Sequence, residues 1–154
     1  MNGKEKNKIQ LRSIEGLPEE EVLDTLLGLY TQIFQDAQPE FFLKRLRSKE
    51  DLLSIISYSN KQAVGFKIGY RYDLSTYYSW IGGVLENFRK QGFGAKMAQR
   101  QESWVREKNY KKLRTKSMNQ YKAMMILNLK NGFDLVQFYT NQSGQTKLVF
   151  EKNL

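Results

Sequence analysis

Two glycines that stand one residue apart, Gly92 and Gly94, give this sequence its clearest chemical feature. Arg89 and Lys90 precede them and Lys96 follows, so three cations surround a short turn. The preceding residues have the pattern of a β-strand, and the following residues have that of an α-helix. A glycine turn that opens a helix directs several backbone N–H groups, and the positive end of the helix dipole, to one place. These residues therefore predict a binding site for a phosphate group.

The absence of cysteine and histidine limits the other chemistry that the chain can perform. Without cysteine there are no disulfides, no thiolate metal sites and no acyl transfer through a cysteine. Without histidine the chain lacks the usual base at neutral pH and the commonest metal ligand. We therefore predict no metal site.

Length and composition predict one globular domain, residues 1–154. A chain of 154 residues can bury a core without disulfides or metals, and 40% apolar with 13% aromatic residues indicates a folded protein. No apolar run approaches the roughly 20 residues needed to span a bilayer, and the charged N-terminus lacks the core of a signal peptide. The sequence therefore predicts a soluble, cytoplasmic protein without a membrane partner.

The net charge of +9 favours anionic partners such as nucleotides, nucleic acid or acidic protein surfaces. The basic residues are scattered along the chain and do not form one stripe with interleaved aromatics. Such a stripe is typical of nucleic-acid grooves. We therefore favour a solvated basic surface over a nucleic-acid partner.

Hydrophobic periodicity and turn residues predict the element order β-α-α-β-β-β-α-β-α-β-β. The fold class is α/β (α+β), with a single mixed, mostly antiparallel sheet of about seven strands and four helices on its faces. The crossover through the third helix makes the fifth strand parallel to the fourth. The predicted strands are 8–14, 52–58, 63–72, 76–84, 112–118, 133–140 and 145–151, and the predicted helices are 18–34, 39–46, 92–110 and 121–131.

Two segments of the sequence carry a resemblance to a known family. Arg89-x-x-Gly92-x-Gly94 follows the fourth predicted strand, and the apolar run that starts at Met124 within the fourth predicted helix leads into Lys130-Asn131-Gly132-Phe133. In this element order they resemble the GCN5-related N-acetyltransferase (GNAT) family, whose signatures there are Arg/Gln-x-x-Gly-x-Gly/Ala and Lys-x-Gly-Phe. The resemblance covers nearly the whole chain. It implies the acyl-CoA N-acyltransferase fold and transfer of an acetyl group from acetyl-CoA to an amine.

The resemblance also implies where the donor, acetyl-CoA, would bind. Backbone amides of the glycine turn would wrap the CoA pyrophosphate, and the edge of the fourth strand would hydrogen-bond the pantetheine arm. A backbone N–H close to Val84 would polarise the acetyl carbonyl. Lys130 would approach the CoA phosphates, although a lysine also suits a helix C-terminus for the dipole alone. The residues implied in donor binding are Gly82, Gly83, Val84, Arg89, Lys90, Gln91, Gly92, Phe93, Gly94, Ala95, Asn119 and Lys130.

The sequence departs from the family where protons are transferred. Many members carry a glutamate base on the fourth strand, but residues 76–84 contain no carboxylate. Asp73 and Glu86 lie just outside this strand, and we interpret them as surface residues. Tyr77 and Tyr78 point to opposite faces of the strand, so one of them should face the cleft. We take Tyr78 as the candidate catalytic residue, with a place in the core as the alternative, and leave the general base unassigned.

The family's general acid, a tyrosine in the fourth helix, is replaced here by Asn128. An asparagine amide can hydrogen-bond the departing sulfur, but it has no ionisable proton to give. A thiol pKa of about 8.5 makes the thiolate a tolerable leaving group without an acid. Asn128 is therefore a candidate catalytic residue, with a polar helix residue of no function as the alternative.

Five apolar residues near the implied site are interpreted mainly as core. Phe34, Phe41 and Phe42 belong to the N-terminal helices, which in the family form the acceptor-side wall. Met124 and Met125 belong to the fourth helix and are interpreted as core and cleft lining.

Three functions follow from these observations. The leading one is an N-acetyltransferase that uses acetyl-CoA and a primary amine of a small molecule or peptide by direct attack. The alternative is a catalytically weak or inactive CoA-binding sensor or interaction module, suggested by Asn128 and by the strand without a carboxylate. A basic protein associated with nucleic acid rests on charge alone. The C-terminal hairpin strands could also pair across a homodimer.

Overall fold

The computed structural model describes residues 8–154 of the chain. Within this range there are seven strands and four helices, in the predicted order, and a 3-10 turn at Glu86–Phe88. The elements are β1 (Ile9–Glu15), α1 (Glu20–Ile33), α2 (Pro39–Ser48), β2 (Leu53–Ser59), β3 (Gln62–Arg71), β4 (Thr76–Val84), α3 (Phe93–Glu107), β5 (Lys112–Met118), α4 (Lys122–Lys130), β6 (Asp134–Thr140) and β7 (Thr146–Asn153).

The strands form one sheet in the order β1-β2-β3-β4-β5-β7-β6. β4 and β5 are parallel, as predicted from the crossover, whereas β1 with β2, β5 with β7 and β6 with β7 are antiparallel. The predicted mixed sheet of about seven strands with four helices is confirmed. No helix within the described range is both long and apolar enough to pass through a lipid bilayer.

The bounds of the strands follow the sequence closely, and the largest differences concern α3. β4 and β5 have the predicted bounds, and the ends of the other strands differ by one or two residues. α3 begins at Phe93 because Gly92 has a φ of +94°, outside the helical region. It ends at Glu107, short of the predicted Tyr110, because Asn109 adopts a left-handed φ of 65°.

The described residues fall into two compact units. The first contains the chain up to Ile68 together with Ile81–Gln101, and the second contains Gly69–Trp80 and Glu102–Leu154. The interpretation as one domain therefore stays a prediction. Residues 1–7, which this domain includes and for which the sequence predicts no signal peptide, lie outside the described residues.

Aromatic side chains form much of the core of the first unit. The rings of Tyr30 and Phe42 stack with centroids 4.4 Å apart, and Phe34 and Phe42 each lie 6.4 Å from Phe66. Phe42 is fully buried, as predicted, but Phe41 is 53% exposed, so its assignment to the core is wrong. Successive residues of a helix point in directions about 100° apart, so Phe41 can face solvent while the adjacent Phe42 packs against Tyr30.

The second unit has a small aromatic core and an exposed helix. The Tyr77 ring lies 5.4 Å from that of Trp104 and 5.2 Å from that of Tyr110. In α4 the buried residue is Asn128, whereas Met124 is 47% exposed. The assignment of Met124 to the core is therefore wrong, and its place in the lining of a cleft stays a prediction. The exposed apolar side chains of this helix are Met124, Ile126, Leu127 and Leu129, so its neighbours cover α4 only in part.

Candidate functional site

The glycine turn and the first turn of α3 form a compact group of backbone donors in the first unit. The chain leaves the 3-10 turn through Lys90, with a φ of 62°, and Gly92, with a φ of +94°. The N–H of Lys96 donates to Gly92 O at 3.0 Å and so begins the helical hydrogen bonds. The N–H groups of residues 93–95 precede that bond and therefore have no partner within the helix. They combine with the positive end of the helix dipole, as the sequence predicts.

Two side chains hold this turn in place. Phe93 is almost fully buried and packs edge-to-face on Phe88, with centroids 6.2 Å apart. The Arg89 Nε donates to Val84 O at 3.0 Å, which ties the guanidinium to the end of β4. Lys90 and Lys96 are exposed. Phe93 can thus contribute only its backbone to a ligand, while the three cations supply the positive charge.

Glycine occurs at positions 92 and 94 for different structural reasons. Gly92 needs glycine because its φ of +94° is rarely adopted by other residues. Gly94 is part of the helix with no such φ, and a Cβ built on it would meet no atom within 4 Å. Nothing in the described chain therefore requires glycine at position 94. A glycine without an internal reason, at a helix N-terminus, suits the close approach of a ligand to the backbone.

Two glycines near the end of β4 are closely surrounded by neighbouring residues. A Cβ on Gly82 would lie 2.9 Å from Phe66 O, and one on Gly83 would lie 2.8 Å from the Ile33 Cγ2. A Cβ in a regular strand points away from the sheet, so the approach of Gly82 to a neighbouring backbone oxygen marks an irregular strand. The pairing of β4 with β5 ends at Ser79, and both glycines lie beyond it.

The other predicted residues belong to the second unit. Tyr78 is buried, with its ring edge-to-face on Tyr70 at 5.3 Å and with the Lys116 Nζ 5.7 Å from its centre. Asn119 and Lys130 are both exposed. The structure thus places ten of the donor residues of the prediction, 82–84 and 89–95, in the first unit, and these two with the catalytic candidates in the second.

Asn128 has an unusual environment. It is the buried residue of α4, and its Nδ2 has no hydrogen-bond partner. Its backbone O accepts the N–H of Phe133 at 3.0 Å, and the N–H of Gly132 donates to Leu129 O at 3.2 Å. Together with the φ of +88° at Gly132, these bonds form a C-terminal cap for this helix. The backbone is therefore fixed, while a buried amide donor lacks an acceptor.

Ser117 shares this property, and the sequence did not single it out. Its hydroxyl is buried at the end of β5 and has no partner. Buried polar groups are rarely left unpaired, because doing so costs about 1–3 kcal/mol. A serine in an alternating strand has no sequence signal that distinguishes it, so only the structure could reveal it.

Asp73 is exposed, as predicted, and it caps the turn that precedes β4. Its Oδ1 accepts the backbone N–H groups of Ser75 at 2.9 Å and of Thr76 at 2.7 Å, and the Ser75 hydroxyl at 3.2 Å. The bond from the Ser75 backbone is the main cause that holds the pKa of this carboxyl below its usual value. A carboxylate held in its charged form is a weak base. Glu86, the other carboxylate near β4, is also exposed.

We expect Asp73→Ala to lower the free energy of unfolding at pH 7. Because the folded-state pKa is lowered, the stabilisation exists above the unfolded-state pKa and is lost as the pH falls through the folded-state pKa. The gap between wild type and variant should therefore narrow between pH 7 and pH values below about 4. Urea unfolding at both ends of this range measures it. Asp24→Ala, at an exposed acid of α1, is the control, and an equal gap at both pH values would contradict the prediction.

Residues 8–154 contain no group of three or more Asp, Glu, His or Cys side chains that could hold a metal ion. Burial, rather than a charged neighbour, lowers the pKa of the Lys67 amine on β3 to about 8. This lysine was not among the predicted site residues.

We compared the sequence with models of protein families and with curated proteins, and the structure with solved structures. The model of the Acetyltransferase (GNAT) family matches residues 19–133, whereas no curated protein matches the sequence. The ribosomal-protein-S18-alanine N-acetyltransferase from Escherichia coli superposes with a TM-score of 0.79 at 14% identity, over 95% of this chain and 94% of that chain. A GNAT family acetyltransferase from Elizabethkingia anophelis with acetyl-CoA bound gives 0.76 at 19%, over 95% and 98%.

A third structure is the PaiA N-acetyltransferase from Thermoplasma acidophilum in complex with coenzyme A. It gives a TM-score of 0.71 at 14% identity, over 96% of this chain and 99% of that chain. Similarity at such low identity shows a shared fold, so the predicted acyl-CoA N-acyltransferase fold is confirmed. Because the family model also covers most of the sequence, this chain belongs to the acetyltransferase (GNAT) family.

Proposed function

We propose that this protein is an N-acetyltransferase that transfers the acetyl group of acetyl-CoA to a primary amine of a small molecule or peptide. The observation that carries the proposal is the glycine turn before α3, where Gly94 leaves open space beside backbone donors that have no partner within the helix. Membership of the family and two related folds that hold acetyl-CoA or CoA support this choice of donor.

The CoA pyrophosphate fits the chemistry of this turn. It is anionic and needs several donors at once, which the N–H groups of residues 93–95 and the helix dipole provide. Arg89, Lys90 and Lys96 add charge, and the absence of a side chain at Gly94 lets a phosphate approach the backbone. The pantetheine arm would then run along Gly82, Gly83 and Val84, whose edge lies beyond the pairing with β5.

The reaction would proceed by direct attack. A neutral amine attacks the thioester carbonyl, the C–S bond breaks, and the proton of the amine reaches the departing thiolate directly or through solvent. The Asn128 Nδ2, buried and without a partner, is proposed to donate to this sulfur as negative charge develops. Tyr78 is retained as the second catalytic candidate. The general base is not assigned, since β4 has no carboxylate.

The same observations support one alternative, a CoA-binding sensor or interaction module without significant catalysis. The loss of the family's tyrosine at Asn128 and the strand without a carboxylate favour it. It shares the donor site with the enzyme, so only turnover separates the two. A cytoplasmic location and a homodimer remain predictions from the sequence.

Thermal melting followed by a thiol-release assay tests the proposal. Acetyl-CoA at a hundredfold excess over its dissociation constant should raise the apparent stability by about 2.7 kcal/mol. Release of CoA thiol in the presence of a primary amine, taken from a panel of small amines and peptides, would support the enzyme. A melting shift without thiol release would favour the binding module. No shift with acetyl-CoA or CoA would rule out both.

Replacing Asn128 with leucine is expected to lower kcat about tenfold, since one hydrogen bond to the developing thiolate is worth about 1.4 kcal/mol. The affinity for acetyl-CoA should change little, because that bond strengthens only as charge develops. The free protein should be at least as stable, because a buried amide without a partner has been removed. Asn128→Tyr, which restores the family's acid, should be at least as fast as wild type. An unchanged kcat in Asn128→Leu would remove this residue from the mechanism.

A further inference from the structure

Lys67 lies on the same face of the sheet as the start of α3. Its neighbour Phe66 packs against the ring of Phe34, which directly follows α1, and against the ring of Phe42 in α2, and successive residues of a strand point to opposite faces. Lys67 therefore points away from α1 and α2. On that side, the Met97 Cε of α3 lies 3.2 Å from the position of a Cβ on Gly65, two residues before Lys67 on β3.

The stem of Lys67 packs against the strand that is proposed to hold the donor. A Cβ on Gly82 would lie 3.3 Å from both the Cα and the Cγ of Lys67. Because β4 has glycine at this point, the four-carbon stem can lie close to its backbone. Gly82 is also the start of the edge along which we place the pantetheine arm. Of the residues 82–84 along which the arm is proposed to run, it is the farthest from the turn that would hold the pyrophosphate, so the acyl-bearing end of the arm would lie beside the Lys67 stem.

The environment of Lys67 favours the uncharged amine. The residue is neither fully buried nor fully exposed, so part of its surface still meets solvent. Its surroundings nevertheless remove enough water to lower the pKa to about 8, and no carboxylate counters this effect. At pH 7.5 about a quarter of such amines are neutral, compared with roughly 0.1% at an ordinary lysine pKa of ~10.4. Only the neutral amine is a nucleophile toward a thioester.

We propose that Lys67 is a self-acetylation site, modified by the acetyl-CoA bound to its own chain. The Nζ attacks the acetyl carbonyl carbon, the N–C bond forms as the C–S bond breaks, and the proton lost from nitrogen ends on the CoA thiol. The product is a neutral amide, so this partly buried position no longer has to hold the charged ammonium group. This inference rests on the proposed donor site, but it does not require an external amine.

Isotopically labelled acetyl-CoA tests the inference without knowledge of the acceptor. The purified protein is incubated with the labelled donor at pH 8, and its peptides are analysed by mass spectrometry. Lys67 should carry the label at a level at least ~10-fold above Lys44, an exposed lysine of α2. The same incubation in urea should label the two lysines equally. Lys67→Arg should carry no label at this position and should still show the melting shift with acetyl-CoA.

Gly94→Glu separates failure of this inference from failure of the donor site. If the donor site is correct, this variant should lose both the melting shift and the label at Lys67. A wild-type melting shift without label at Lys67 would overturn self-acetylation and leave the proposed function intact. Equal labelling of Lys67 in wild type and Gly94→Glu would show a non-enzymatic reaction and would also overturn it. Absence of any wild-type shift would instead contradict the donor site itself.

Discussion

Replacing Gly94 with glutamate is expected to abolish the stabilisation by acetyl-CoA while leaving the free protein folded and at least as stable. A Cβ at this position meets no atom within 4 Å, so the change creates no clash. A carboxylate in the first turn of α3 also interacts favourably with the helix dipole, by about 0.3–1 kcal/mol. The same side chain would occupy the space proposed for the pyrophosphate and repel its charge. The affinity should therefore fall by at least ~100-fold, or about 2.7 kcal/mol.

Calorimetric titration and thermal melting of the same preparations measure both effects. Gly28→Glu is the matched control, because Gly28 also lies in a helix and a Cβ there meets no atom within 4 Å. It introduces the same charge into α1 and should retain the wild-type shift. Gly94→Ala should show an intermediate loss of affinity. If Gly94→Glu retains the full affinity, the pyrophosphate does not bind at this turn.

Gly92 would be a poorer choice for this experiment. Its φ of +94° would strain any other residue, at a cost of about 1–2 kcal/mol. Loss of binding in a Gly92 variant could therefore reflect a distorted turn. Gly94 separates the effect on the ligand from the effect on the fold because the chain itself makes no demand there.

The fold was predictable because its signals are local. Pro39 marks the start of α2, the glycine spacing marks the turn before α3, and Gly132 marks the end of α4. Each of these residues has a backbone preference that acts through its immediate neighbours. The parallel direction of β5 relative to β4 could likewise be derived from the single helical crossover between them.

Burial was less predictable because it depends on which element covers a residue. Phe41 and Phe42 are adjacent residues of the same type, but only Phe42 is buried, where it stacks on Tyr30 of α1. Met124 belongs to an apolar helix that its neighbours cover only in part. Sequence periodicity gives the face of a helix that is apolar, and it does not give the extent of the partner on that face.

The unusual environments of three polar side chains could not be predicted either, because they also depend on packing. Lys67 and Ser117 have the alternation of ordinary strand residues, and nothing in the sequence indicates that one has a dehydrated amine and the other an unpaired hydroxyl. Asn128 was noticed only because it replaces a residue of the family. Its unpartnered amide is a property of the packing between α4 and its neighbours.

Replacing Lys67 with methionine is expected to raise the free energy of unfolding at pH 7 by up to about 3 kcal/mol. Burial lowers the pKa of this amine from 10.5 to about 8, and each pKa unit is worth about 1.4 kcal/mol. In the unfolded chain the amine binds its proton below pH 10.5, but in the folded chain it does so only below about 8. Wild-type stability therefore falls as the pH decreases from 10.5 to 8, and the deficit then stays constant. Methionine keeps much of the stem and removes the charge.

Urea unfolding between pH 7 and pH 10.5 measures the difference in free energy of unfolding between wild type and Lys67→Met. The tyrosines ionise in both proteins, so their contribution largely cancels in this difference. The advantage of Lys67→Met should be greatest at or below pH 8 and should disappear near pH 10.5. Lys44→Met removes the same charge from the surface of α2 and should change stability by no more than about 0.5 kcal/mol. An advantage that persists unchanged at pH 10.5 would come from better packing of methionine. If the variant were less stable than wild type over the whole pH range, the amine would have a favourable partner. That result would contradict the claim that burial lowers its pKa.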